Sequence, residues 1–303
     1  MDEAIDIAGP TASAVQACSK LARDYYAFLQ SVDCLERWED LRPLPTPIET
    51  GKDYSTLLER EQVLRDFYPT LVHHATVAQQ YGEMARRLGF RYAWTRFFMN
   101  TAMLEVLDKY LSAKKPSIII EPGCFCTGLM HYLPEKWGIK YLGIDVSPAA
   151  LDVARLLANQ TGGGKNLNLI SGNFLQLTTT QTEEIVGQPL SGTLVMLSNF
   201  FSAVRHDWQM FPCLMEGDCW PAYCALIAYW IKAGAIVVMN ERHDDPQMIA
   251  ESIMHFGSPV VEGLKCDLVT EYETYITTNM TVENPLGEWR QMKASVVMAW
   301  APG

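Results

Sequence analysis

Two carboxylates and a glycine turn hold most of the chemical information in this sequence. Glu121 closes the β-branched run Ile118–Ile120, and Asp145 closes the apolar run Tyr141–Ile144. Gly123 and Gly128 lie between them, followed by residues that can start a helix. After Asp145, Ser147 offers an N-cap and Pro148 a first-turn proline. Strand, glycine turn, helix and a second strand ending in an acid make up the unit that holds an adenosine. The turn brings the backbone close to the ligand, and the second acid accepts hydrogen bonds from ribose hydroxyls.

The neighbouring residues select among adenosine ligands. A dinucleotide site favours G-x-G-x-x-G, because a diphosphate lies against the backbone and the helix N-terminus. Here Phe125 or Cys126 takes the place of the second glycine and crowds a diphosphate. Glu121, just before the turn, repels phosphate and suits a ligand that carries an ammonium and a sulfonium. The segments EPGCFCTG (Glu121–Gly128) and GIDVSP (Gly143–Pro148) resemble motif I and the following acidic strand end of class I S-adenosylmethionine-dependent methyltransferases. The second segment follows the family pattern h-x-G-x-D-x-S closely. The first follows acid-x-G-x-G-x-G with a substitution or a one-residue insertion. The resemblance spans roughly residues 94–301, strongest at Asp145.

That resemblance implies an α/β fold, a doubly wound Rossmann-like seven-stranded sheet ending in an antiparallel hairpin, with S-adenosyl-L-methionine as cofactor. It implies that Glu121, Gly123, Cys124 and the turn through Thr127 line the methionine half, and that Asp145 takes the ribose. Asn173 and Phe174, after the third strand, stand where the family meets the adenine. The Asn173 carbonyl serves that purpose, or the residue is an ordinary turn asparagine. Ser198 and Asn199, after the fourth strand, face the transferable group in such a fold. Arg96 reads either as a clamp on the cofactor carboxylate or as a solvated helix residue.

The acceptor side is poorer in signal. Methyl transfer from a sulfonium is an in-line displacement, so the protein positions the nucleophile and, for a hydroxyl acceptor, removes its proton. Candidate catalytic residues are therefore His243, His206 and Asn199, near the ends of the fourth and fifth strands. His243 lies in Glu241-Arg242-His243-Asp244-Asp245, whose acids orient it or raise its pKa, unless it is a surface-loop histidine. Asp207, Glu241, Asp244 and Asp245 match no metal-ligand spacing, and no metal is expected. His73 and His74 diverge by about 100° on a helix and do not chelate one ion. Cys124-x-Cys126 is not a C-x-x-C redox pair, and Cys213, Cys219 and Cys224 lack a matched zinc set.

The elements that must position these residues follow from periodicity. Residues 1–112 read as amphipathic helices and form a cap, either a substrate lid or a dimerisation element. Residues 113–303 form the cofactor-binding domain. Its strands are expected at 118–121, 141–145, 167–171, 193–198, 235–240, 266–277 and 292–301, the last two as an antiparallel hairpin across Asn284-Pro-Leu-Gly287. The 303 residues, 49% hydrophobic, suffice for a sizeable core. A net charge of −11 argues against nucleic acid and against anionic membranes. The start, MDEAIDIAGP, has no apolar core for a secretory signal, and the eight irregularly spaced cysteines suit a reducing cytoplasm. The expectation is a cytoplasmic methyltransferase of small-molecule biosynthesis, acting on an O or N nucleophile of a small-molecule substrate, with no nucleic-acid or membrane partner and a homodimer as its candidate assembly. Two rival readings keep the cofactor: an aminocarboxypropyl transferase or cyclase that releases methylthioadenosine, and a non-catalytic binder.

Overall fold

The computed structural model describes residues 96–97, 99–100, 103, 116–127, 130, 138–160, 164–174, 177–198, 220–241, 246–278 and 288–301. The cap expected at 1–112 lies outside the described residues except for Arg96, Phe97, Met99, Asn100 and Met103, which are helical.

Seven strands form one sheet: β1 (Ile118–Pro122), β2 (Lys140–Asp145), β3 (Leu167–Ser171), β4 (Thr193–Ser198), β5 (Ile236–Glu241), β6 (Lys265–Thr278) and β7 (Glu288–Trp300). Their order is β3-β2-β1-β4-β5-β7-β6. β1 to β5 are parallel, β7 runs against β5, and β6 runs against β7. This is the Rossmann-like sheet with a closing hairpin that the resemblance implied. Four helices are described in full: α1 (Pro148–Gln160), α2 (Thr179–Val186), α3 (Trp220–Lys232) and α4 (Pro246–Gly257).

The strands form where the sequence packs apolar and β-branched residues without alternation, because both faces of a parallel sheet are covered. Every residue of β1 and β4 is buried. α3, WPAYCALIAYWIK, is apolar nearly all round and sits in the main core with α4 against it. α1 starts on Ser147, whose Oγ accepts from the Ala150 amide at 3.2 Å. α2 starts on a reciprocal cap between Thr178 and Gln181 and ends on Gly187 in the left-handed region.

The strand order reverses between β1 and β4, and the pairing there is short. Ile118, Ile119 and Ile120 pair with Thr193, Leu194 and Val195, and the ladder ends. Beyond it, Glu121 and Pro122 pair only with β2, while Met196 to Ser198 pair only with β5. The carboxyl ends of β1 and β4 therefore part, which opens the crevice where open α/β sheets bind ligands.

Gly143, in the middle of β2, shows why the sequence needs glycine beside the turn. A Cβ there would lie 2.7 Å from the Cys124 sulfur and 2.8 Å from Leu169 Cδ2. Gly143→Ala is expected to lower unfolding free energy by about 1–3 kcal/mol, the usual cost of overpacking. Denaturant titration checks this, and an unchanged midpoint would show that the turn has room to shift.

Candidate cofactor site at the carboxyl edge of the sheet

Asp145 is the organising group of the turn. Its Oδ2 accepts from the Phe125 amide and its Oδ1 from the Ser147 amide, both at 2.8 Å. One carboxylate thus ties the β1 turn to the start of α1. The Val146 amide bonds it as well, and since a carboxylate offers about four lone-pair positions, acceptor capacity remains for a ligand hydroxyl. The turn reaches Asp145 through two left-handed residues, Gly123 at φ 61° and Phe125 at φ 52°. Glycine adopts this conformation freely, whereas in phenylalanine it is strained by about 1–2 kcal/mol. The Phe125 amide bond to Asp145 helps hold it there. The Cys124 amide donates to the Ile144 carbonyl at 3.2 Å, closing the turn against β2.

Glu121 is wholly buried and already has three donors. Its Oε1 accepts from Arg96 Nη1 at 3.0 Å and from Asn100 Nδ2 at 3.1 Å, and its Oε2 accepts from the Tyr141 hydroxyl. Tyr141 in turn meets Thr127 of the turn, their hydroxyl oxygens 3.2 Å apart. Asn100 also accepts, on Oδ1, a hydrogen bond from the Ser198 hydroxyl. Its side-chain amide therefore bridges β1 and β4 where their backbone pairing has ended. Arg96 and Asn100, one helical turn apart, present adjacent groups to this gap.

Burial dominates the electrostatics. Desolvation lifts the Glu121 carboxyl from 4.5 to about 7, although Arg96 and the Asn100 hydrogen bond pull it down. Desolvation also raises Asp145, against the lowering effect of its bonds from Ser147 and Phe125. Burial holds the thiols of Cys124 and Cys126 far above the ordinary range, so both are neutral packing groups.

The structure brings together most of the expected cofactor residues in the described part. Glu121, Gly123, Cys124, Asp145, Ser198 and Arg96 form one cluster at the carboxyl ends of β1, β2 and β4. Within it Glu121 and Ser198 are enclosed by protein partners, and Cys124 offers its backbone while its sulfur packs on Gly143. Arg96 is neither solvated nor remote: its side chain is 11% exposed and paired with Glu121. Asn173 lies after β3, partly buried, and Phe174 packs edge-on against Trp230 in the core, ring centroids 3.6 Å apart. His243, His206 and Asn199 lie outside the described residues.

Asn100 and Tyr141 are the residues that sequence reasoning missed. A signal existed for Asn100, an amide one turn after Arg96 in a helix whose Phe97, Met99 and Met103 are buried. Tyr141 offered none, since it reads as an ordinary apolar strand start. Among the described residues no group of three or more His, Cys, Asp or Glu side chains is arranged to hold a metal ion, and no helix is long and apolar enough to cross a membrane.

No protein-family profile matches the sequence, and no curated protein matches it. Solved structures do. A magnesium protoporphyrin IX methyltransferase from Synechocystis PCC 6803, with S-adenosylmethionine bound, is 12% identical over 84% of this chain and 100% of its own, with a TM-score of 0.41. The plantazolicin methyltransferase BamL, solved with a triazolic desmethylPZN analogue and S-adenosylhomocysteine, is 11% identical over 82% of this chain and 100% of its own, with a TM-score of 0.43. A putative RNA methyltransferase from Pyrococcus horikoshii is 10% identical over 67% and 84%, with a TM-score of 0.42. At these identities each is a similarity of fold, and their acceptors differ in kind.

Proposed function

We propose that this chain binds S-adenosylmethionine at the carboxyl edge of β1, β2 and β4 and transfers its methyl group to a small-molecule acceptor with an O or N nucleophile. The observation that supports it best is Asp145, a buried carboxylate at the end of β2 with acceptor capacity left over. It suits two vicinal ribose hydroxyls. The bulk of Phe125, where a dinucleotide turn has glycine, disfavours a diphosphate. Arg96 uses Nη1 on Glu121; its further N–H donors are the groups for the cofactor carboxylate, and the Gly123 turn provides backbone groups for the ammonium end. Asn173 is the residue for the adenine amino group.

When bound, the cofactor supplies a methyl group activated by its sulfonium. The chain's own contribution is then placement: the Asp145 turn fixes the nucleoside, and the Asn100 bridge holds the ends of β1 and β4 at a fixed separation beside the reacting end. A hydroxyl acceptor needs a base, for which His243 and His206 are the sequence's candidates, with Asn199 orienting the acceptor. The N-terminal segment serves as the lid in this reading, and the protein works in the cytoplasm, alone or as a homodimer.

Product analysis tests the reaction. Incubation with S-adenosylmethionine and a metabolite extract should yield S-adenosylhomocysteine. Methylthioadenosine instead would assign the transfer to the aminocarboxypropyl chain, and neither product would leave a binding protein.

A further inference from the structure

The sheet has two edges, β3 and β6, and they are finished differently. β3 is five residues long. The Tyr141 amide donates to the Asn166 carbonyl and the Gly172 amide to the Asp145 carbonyl, so by alternation the Leu169 carbonyl turns away from β2. Arg155 Nη2 donates to that carbonyl at 3.1 Å, and Asp152 holds the same guanidinium at 2.7 Å. A charged side chain thus covers the outer rim of β3, which guards it against pairing with another chain.

β6 is 14 residues long and pairs on one side, with β7. Among the described residues no strand lies along its outer rim. Lys265, Asp267 and Leu268 are exposed there, Leu268 by 47%. Leu268 and Met254 of α4 are the two large apolar side chains exposed among the described residues, and α4 packs on β6. The regular part of the edge ends at Val269, because the register slips between Val269 and Tyr272.

Two copies of one strand can pair antiparallel about a two-fold axis, each contributing the same residues. The residue on the axis then fixes every other pair. Lys265 on the axis sets lysine against lysine, and Asp267 sets aspartate against aspartate. Leu268 on the axis brings Lys265 against the irregular stretch beyond Val269. Cys266 on the axis sets Lys265 against the second copy's Asp267, and Asp267 against its Lys265. A lysine alone guards an edge, but with an acid two residues later on the same face the edge complements itself. In that register Leu268 falls opposite the second copy's Leu264, on the face where Cys266 packs against the core.

We propose that the outer rim of β6 is a self-association surface, where a second copy of this chain extends the sheet antiparallel with Cys266 on the two-fold axis. The inference is independent of the cofactor reading above. Sedimentation equilibrium tests it at about 0.15 M salt, where repulsion between two chains of net charge −11 is screened beyond about 8 Å. The parent should sediment as a dimer. Lys265→Asp and Asp267→Lys each set like charges opposite one another twice, and each should weaken association at least about tenfold. The variant with both substitutions restores the two pairs and should recover the dimer to within about threefold of the parent. If a reversed charge prevents folding, Lys265→Gln and Asp267→Asn take its place and should still weaken the dimer. A monomeric parent, single variants that associate as the parent does, or a double variant that stays monomeric overturns the proposal.

Discussion

Glu121→Ala should destabilise the protein by about 3–5 kcal/mol, because it leaves a buried guanidinium, amide and hydroxyl without their common acceptor. The three donors come from a helix and from β2, and Asn100 carries the effect on to β4 through Ser198. Denaturant unfolding measures the loss, and a variant within about 1 kcal/mol of the parent would show that water replaces the carboxylate freely. Glu121→Gln keeps the shape and isolates the charge. The folded carboxyl titrates near 7 and the free one near 4.5, so the native state holds a proton that the unfolded chain has released between those values. This contribution to stability is fully present below about pH 4.5 and is lost as pH rises to about 7, on the order of 3 kcal/mol in all. The raised Asp145 carboxyl acts with the same sign. Melting followed from pH 5 to 8 should therefore fall more steeply for the parent than for Glu121→Gln. Parallel curves would show that Glu121 is not the titrating group.

Asp145→Ala should weaken S-adenosylmethionine binding by about 2–3 kcal/mol, or roughly thirtyfold to more than a hundredfold. The substitution removes the acceptor of the ribose hydroxyls and also frees the amides of Phe125 and Ser147. Asp145→Asn separates the two effects, since its one carbonyl still accepts a backbone amide while the charge is gone. Affinity between those of the parent and the alanine variant is expected. Calorimetry that returns parental affinity for Asp145→Ala would place the nucleoside elsewhere.

Much of the sheet was legible because a parallel strand buried on both faces must be written in continuous apolar residues. Ile118–Ile120, Leu194–Leu197 and Val237–Met239 carry that signature, and each lies in a strand. The β7 start was not legible. Glu288-Trp289-Arg290-Gln291 has neither an apolar run nor clean alternation, and only its pairing with Tyr275 to Thr278 on β6 makes it strand. Local pattern therefore starts that strand at 292 and misses its first four residues, Glu288 to Gln291. The site divides in the same way. Asp145 was readable because its position at a strand end before Ser-Pro fixes its surroundings locally. The burial of Glu121 was not, since it depends on Arg96 and Asn100, more than twenty residues away, and on Tyr141. The bridge from Asn100 to Ser198 spans 98 positions, beyond any local pattern.

Titration calorimetry of the parent protein with S-adenosylmethionine and, separately, with NAD tests the central claim most directly. Saturable binding of S-adenosylmethionine with no measurable heat from NAD is the predicted result. Tight binding of NAD, or no binding of S-adenosylmethionine, would contradict it.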